Sequence, residues 1–437
     1  MSLKNGHVMI DGELITTNIY INDGSINLIS DNNFESDQTI DCKNLIILPG
    51  VIDSQVHFRE PGLEGKETLE SGMLAAISGG VTSIFEMPNT NPLTITPETI
   101  EDKLQRAIKG AWSDYAFYLG GTMRTSSNLS EWENLKGVCG IKIFMGASTG
   151  DLMTASDEEV ESVVANGQRV IAVHAEDQMI MMENQKNILG DSEDVAMHCK
   201  WRSPESCLSA TRRVVTLAKK YNRRVHILHI TTEQEMDFLS KNKDVASVEL
   251  LANHLSLHAP ECYERLGTLA QQNPPIREKT HQDALWKALN DDVVDIIASD
   301  HAPHTLDEKA QTYPKSPSGT PGVQTLVPIM LNHVNNGKLS LSKLVSLWSY
   351  GPERVHKIHN KGRIKEGYDA DFTIVDMDKE MIISNHQQKS KSKWTPFDGM
   401  KVRGWPTHTI VRGNCVMCHD EVLGQPIGEM VKFKETM

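Results

Sequence analysis

The sequence predicts an α/β fold: a (β/α)8 TIM-type barrel with a small β domain formed by both ends of the chain. Three observations carry that expectation. Between residue 51 and about residue 362, apolar strand-like runs alternate with amphipathic helical stretches, and eight such runs can be counted. Outside that region, short polar–apolar alternations are broken by turn residues. Polar residues able to do chemistry collect where the apolar runs end, the face on which barrel enzymes carry their sites. A doubly wound open sheet would want a glycine-rich turn after an early strand, and none is found.

Residues 1–50 open with strand-like segments around Ile10-Asp11-Gly12 and Asn18-Ile19-Tyr20-Ile21-Asn22-Asp23-Gly24. Asn-Asp-Gly between alternating runs predicts a hairpin. The barrel strands are expected at 51–56, 81–87, 114–119, 140–145, 169–174, 224–230, 245–251 and 293–299, with helices at 66–78, 96–109, 156–166, 205–220 and 281–290 among them. Residues 303–322 are rich in Pro, Gly and Ser and follow the last strand, as a loop covering a site would. From 363 to 437 short strands return and are expected to join residues 1–50 in one sandwich-like β domain, leaving 51–362 as the barrel.

Composition narrows the function classes. The chain has 437 residues, of which 39% are apolar and 23% charged, as in soluble globular proteins. A net charge of −14 disfavours nucleic acid and acidic membrane surfaces as partners, while leaving room for a small anionic substrate held by a few local cations. The N-terminus lacks the apolar stretch of a signal peptide and no run approaches a membrane span. Seven scattered cysteines suit reduced thiols in the cytoplasm. Cys415-Val416-Met417-Cys418-His419 fits a haem-attachment pattern but lies in a strand-like run, and is read as coincidence.

The stretch Asp53-Ser54-Gln55-Val56-His57-Phe58-Arg59 organises the rest. Alternation past a strand end places Gln55, His57 and Arg59 on one face, an imidazole beside a guanidinium. Further strand ends carry Asn89, Lys142, His174, His229 and Asp300. His226, three residues before His229, falls on the opposite face by the same alternation and reads as structural.

Seven motifs in order carry a resemblance. They are His57-Phe58-Arg59-Glu60-Pro61-Gly62, Met87-Pro88-Asn89-Thr90-Asn91-Pro92, Gly140-Ile141-Lys142-Ile143-Phe144-Met145, His174-Ala175-Glu176-Asp177, Leu228-His229-Ile230, Asn273-Pro274-Pro275-Ile276-Arg277 and Asp300-His301-Ala302-Pro303-His304. With them the chain resembles the amidohydrolase superfamily and, within it, the dihydroorotase family. The resemblance implies one or two Zn2+ ions, with His174 and His229 holding one and His57 and Asp300 the other. Lys142, N-carboxylated, would bridge them; a bare ammonium would repel cations. It further implies Asp300 as the catalytic proton carrier, and Arg59, Asn89 and His304 as a grip on a substrate carboxylate, with Asn273 near the ring.

Zinc suits imidazole and carboxylate ligands and brings the pKa of a bound water from 15.7 to about 7, which ring opening of a cyclic amide requires. The implied reaction is the reversible hydrolysis of L-dihydroorotate to N-carbamoyl-L-aspartate in pyrimidine synthesis, by a cytoplasmic enzyme and homodimer. The alternatives are another cyclic amidase of the hydantoinase or allantoinase kind, which acts on rings without the carboxylate, or a non-catalytic paralogue serving as a partner subunit. One departure stands out: the family pattern Asp-x-His-x-His reads Asp53-Ser54-Gln55-Val56-His57 here, so Gln55 replaces the first imidazole.

Overall fold

Eight of the apolar runs become parallel strands, as period and composition require. In the computed structural model, which describes residues 1–148 and 152–435, they are Val51–Val56, Val81–Glu86, Asp114–Gly120, Val138–Phe144, Ile171–His174, Val225–Ile227, Ala246–Leu251 and Ile296–Ala298. Each pairs in parallel with the next in chain order. The eighth returns to the first through a single bridge between Val56 and His301, where His57 N donates to His301 O at 2.7 Å. Asp53 Oδ1 adds a second closure by accepting from Ser299 N at 3.1 Å. The sheet is therefore a barrel.

Strand residues alternate between two packing environments. Ile141, Ile143, Ile171, Val173, Val225, Ile227, Val248 and Leu250 pack against the surrounding helices. Ile52, Phe85, Ala116, Ala172 and Leu228 fill the barrel itself. The helices start where their sequences cap them. Thr68 and Thr96 form capping boxes ahead of Leu69–Ser78 and Pro97–Ala107, and Ser156 does so with Glu159 ahead of Asp157–Val164. Ser203 caps Pro204–Tyr221, which Asn222 ends in the left-handed conformation.

Strands from both ends of the chain meet in a seven-stranded sheet. Its order is Glu421–Val422, Asn414–Cys418, Lys401–Val411, Phe372–Ile382, Ile46–Pro49, His7–Ile10, Glu13–Thr16. The joint between the ends is antiparallel, with Phe372 opposite Pro49 and Ile374 opposite Ile47. A separate four-stranded sheet, Ser25–Ser30, Asn18–Asn22, Ser2–Lys4 and Thr39–Asp41, shares with it a core of Leu3, Val8, Ile19, Ile47, Phe372 and Ile410. The predicted hairpin is present: Asp23 and Gly24 turn with φ of 48° and 75° between paired Asn22 and Ser25. Ile46–Pro49 runs almost directly into the first barrel strand, which ties this region to the barrel. Among the described residues, no helix is long and apolar enough to cross a membrane.

Candidate active site

The C-terminal ends of the strands surround a cavity. Gln55, His57, Arg59, Asn89, Lys142, His174, His229, Asn273 and Asp300 all line it. His304 does not. It is buried behind Arg59, with Nε2 3.3 Å from Arg59 Nη2.

Three of these residues sit on backbone that side chains disfavour. Arg59, His229 and Asp300 have φ of 67°, 40° and 45°. A non-glycine residue in this region costs on the order of 1–3 kcal/mol and persists where its surroundings over-determine it. At His229 the left-handed turn breaks strand alternation. His226 consequently lies inside the barrel as well, below the site, within 2.8 Å of Ser247 Oγ and 3.3 Å of Glu249 Oε2. It does not line the cavity, and the face deduced from alternation is corrected.

Proton counting shows what the donors can hold. His57 Nδ1 lies 2.7 Å from Asn89 Oδ1 and donates to it, which leaves the Nε2 lone pair facing Asp300 Oδ1 at 3.2 Å. Burial lowers the His57 pKa, so this ring is neutral and two acceptors face each other. Glu176 Oε2, 3.0 Å from His174 Nε2, keeps the proton there, so His174 Nδ1 turns its lone pair to His229 Nε2 at 3.1 Å. A carboxylate behind an imidazole in this way is the arrangement that orients metal ligands. Glu176 is itself held by Arg202 Nε at 3.1 Å, and Arg202 Nη2 donates to Ala147 O at 2.9 Å beside cavity-lining Ser148. The opposed lone pairs of His57 Nε2 and Asp300 Oδ1, with the His174 and His229 rings beside them, form a donor set that fits a cation.

Lys142 is fully buried, and its Nζ has no hydrogen-bond partner. Desolvation brings its pKa down to about 7 against the pull of Asp300 and Glu249. Nζ lies 4.3 Å from the centre of the Phe144 ring. The amide oxygen of Gln55 is likewise buried without a partner at the cavity wall.

Arg59 is fastened from behind. Its Nε donates to Pro303 O at 3.2 Å, and Nη1 has no hydrogen-bond partner. His304 Nδ1 accepts from Lys66 Nζ at 3.1 Å, so its proton is on Nε2 and goes to Ser318 O at 3.0 Å. The Arg59 Nη2 contact with His304 is thus not a hydrogen bond, and the outer edge of the guanidinium stays available. Burial pushes the His304 pKa down to about 3, which keeps the ring neutral.

The loop expected over the site does return to it. Ser318 and Gly319 line the cavity, and a Cβ on Gly319 would stand 2.3 Å from Ala302 O. Lys309 pins this segment from within, donating to Gln271 O, Pro317 O and Gly319 O at 2.9–3.1 Å. Phe144, Ser148, Glu176, Arg202 and Lys309 had no assigned part in the sequence reading. Glu176 and Phe144 lay inside the His174 and Lys142 motifs and Lys309 inside the 303–322 loop, whereas Ser148 and Arg202 carried no signal.

A parallel barrel whose cavity at the strand C-termini gathers imidazoles, an aspartate and an unpaired lysine holds the groups that metal-assisted hydrolysis would use. The chain belongs to the amidohydrolase family, which matches residues 46–416. It is 36% identical over 430 residues to a dihydroorotase from Pyrococcus abyssi, covering 98% of this chain and 97% of that protein. A dihydroorotase from Methanosphaera stadtmanae is 34% identical, with 94% and 95% covered. Among solved structures, an L-hydantoinase (dihydropyrimidinase) from Arthrobacter aurescens superposes with a TM-score of 0.94 at 29% identity, covering 98% of this chain and 99% of that one.

Proposed function

We propose that this chain is a dihydroorotase that hydrolyses L-dihydroorotate reversibly to N-carbamoyl-L-aspartate. The observation that carries the reading is Arg59, a buried guanidinium with a free edge on the wall that also holds His57, Lys142, His174, His229 and Asp300. Such an edge pairs a carboxylate in a two-point geometry, and dihydroorotate differs from simpler cyclic ureides by its carboxylate. Relatives named dihydroorotase, similar over nearly the full chain, support the same substrate.

His174, His229 and an N-carboxylated Lys142 would hold one Zn2+, and His57 with Asp300 a second, more weakly because Gln55 offers only an amide oxygen. Zinc there supplies Lewis acidity and a water of lowered pKa. The protein does the rest. Arg59 and Asn89 fix the carboxylate end of the ring, with Asn273 on the cavity wall beside Ser148. Asp300 Oδ1, buried and without a hydrogen-bond partner, takes a proton from the attacking water and returns it to the leaving ring nitrogen. Ser318 and Gly319 limit solvent entry. His304 backs Arg59 and holds Ser318. The all-free cysteines among the described residues support a reducing, cytoplasmic setting.

The test compares turnover of L-dihydroorotate with that of 5,6-dihydrouracil, the same ring without the carboxylate. The reading expects a preference for dihydroorotate that Arg59→Ala removes. Preference for dihydrouracil or hydantoin would assign the chain to the other cyclic amidases.

A further inference from the structure

The hairpin at the edge of the seven-stranded sheet gathers three possible metal ligands that are not part of the catalytic cavity. His408, on Lys401–Val411, lies directly opposite Cys418 at the end of Asn414–Cys418. His419 and Asp420 then turn the chain with φ of 48° and 68° into Glu421–Val422. That turn brings the His419 ring over to His408, with ring centres 5.0 Å apart. His419 N donates to Thr407 O at 2.7 Å, which fixes the turn against the neighbouring strand.

The ligand atoms of His408, Cys418 and His419 all lie within 4.8 Å of one another. Two ligands of one zinc ion are at most about 4.4 Å apart, the sum of a Zn–S bond of about 2.3 Å and a Zn–N bond of about 2.1 Å. Rotation of the exposed His419 side chain covers the difference.

The tautomer of His408 is already set. The Thr407 hydroxyl donates to Ile374 O at 3.1 Å, so at 3.0 Å it accepts the Nδ1 proton of His408. The lone pair is therefore on Nε2. A second ring nitrogen committed to a fixed acceptor is the usual support of a metal-bound histidine. Among the described residues, neither Cys418 Sγ nor the His419 ring has a hydrogen-bond partner. Cys415 is different: it packs against the core shared by the two sheets, which separates the two cysteines of the haem-like pattern.

We propose that His408, Cys418 and His419 bind one zinc-class divalent cation at this sheet edge, apart from the catalytic cavity. One thiolate and two neutral imidazoles match the preference of a borderline-soft cation, and water completes a four-coordinate shell. On binding, Cys418 gives its proton to solvent and the Sγ–metal bond forms. The ion clips strand Lys401–Val411 to the turn whose Asp420 accepts from Trp405 Nε1 at 2.7 Å.

The test strips the protein of metal with a chelator, titrates it with Co2+ and follows the sulfur-to-cobalt charge-transfer absorption. None of the candidate ligands in the barrel is a thiolate, so this band reports the sheet edge alone. The proposal expects the band to saturate at the intensity of one cobalt–thiolate bond per chain, to vanish in Cys418→Ser, to remain in Cys415→Ser, and to need at least tenfold more Co2+ in His419→Ala. The last variant changes an exposed side chain and keeps the test decisive if Cys418→Ser folds poorly. No band in the wild type, a band surviving in Cys418→Ser, or unchanged affinity in His419→Ala would overturn it.

Discussion

Lys142 gives the sharpest quantitative expectation, because carboxylation needs a neutral amine. A solvated lysine with a pKa near 10.5 is neutral in only about one molecule in 3000 at pH 7. Burial brings Lys142 to about 7, so about half of it is neutral at that pH. The gain in reactive amine is on the order of 10³-fold. The sign for stability is equally definite. The folded pKa lies below the unfolded one, so between about pH 7 and pH 10.5 the unfolded chain binds the extra proton. The metal-free protein should therefore gain stability as pH rises through that window, with the penalty fully present below it. The assay is uptake of 13C-bicarbonate by metal-free protein, read as a carbamate resonance at fixed dissolved CO2. Uptake should rise with a midpoint near pH 7 and be absent in Lys142→Met. Uptake that begins only above about pH 9, as for an exposed lysine, would refute the reasoning.

Other outcomes follow from the same contacts. Gln55→His should raise zinc affinity at the His57/Asp300 position and activity at limiting zinc, checked by metal titration; unchanged occupancy and rate would mean Gln55 is adequately replaced there. His174→Ala should abolish metal binding and turnover together, measured by metal content and rate. Arg59→Ala should lower kcat/KM for dihydroorotate by roughly 10–150-fold, mainly through KM, the worth of a lost charged hydrogen bond of about 1.5–3 kcal/mol, with metal content unchanged. Lys361→Met leaves Asp114 and Asp371 buried beside each other without the ammonium that bridges them, and should cost about 3–5 kcal/mol in urea unfolding.

The barrel was legible because buried parallel strands are written as continuous apolar runs and their helices carry caps. Strand ends were legible too, since Gln55, His57, Lys142 and His174 follow the two-residue period. The period fails where the backbone turns left-handed, and His229 with its neighbour His226 is the case in point. Support behind the site is harder to read. Arg202 reaches Glu176 from 26 residues away, and Lys309 caps carbonyls of a loop that only the fold brings back. His304 shows the same limit: adjacency in the Asp300 motif says nothing of which side of Arg59 it takes. That the terminal strands form two sheets rather than one is set by long-range register, which local alternation does not encode.

The departure at Gln55 is expected to weaken one metal position without ending catalysis. The most direct measurement counts zinc per chain and dihydroorotate turnover in the same bicarbonate-treated samples as zinc is added. Turnover should appear with zinc and disappear in Lys142→Met. A wild type carrying its full zinc complement, with Lys142 carboxylated and dihydroorotate left intact, would contradict it.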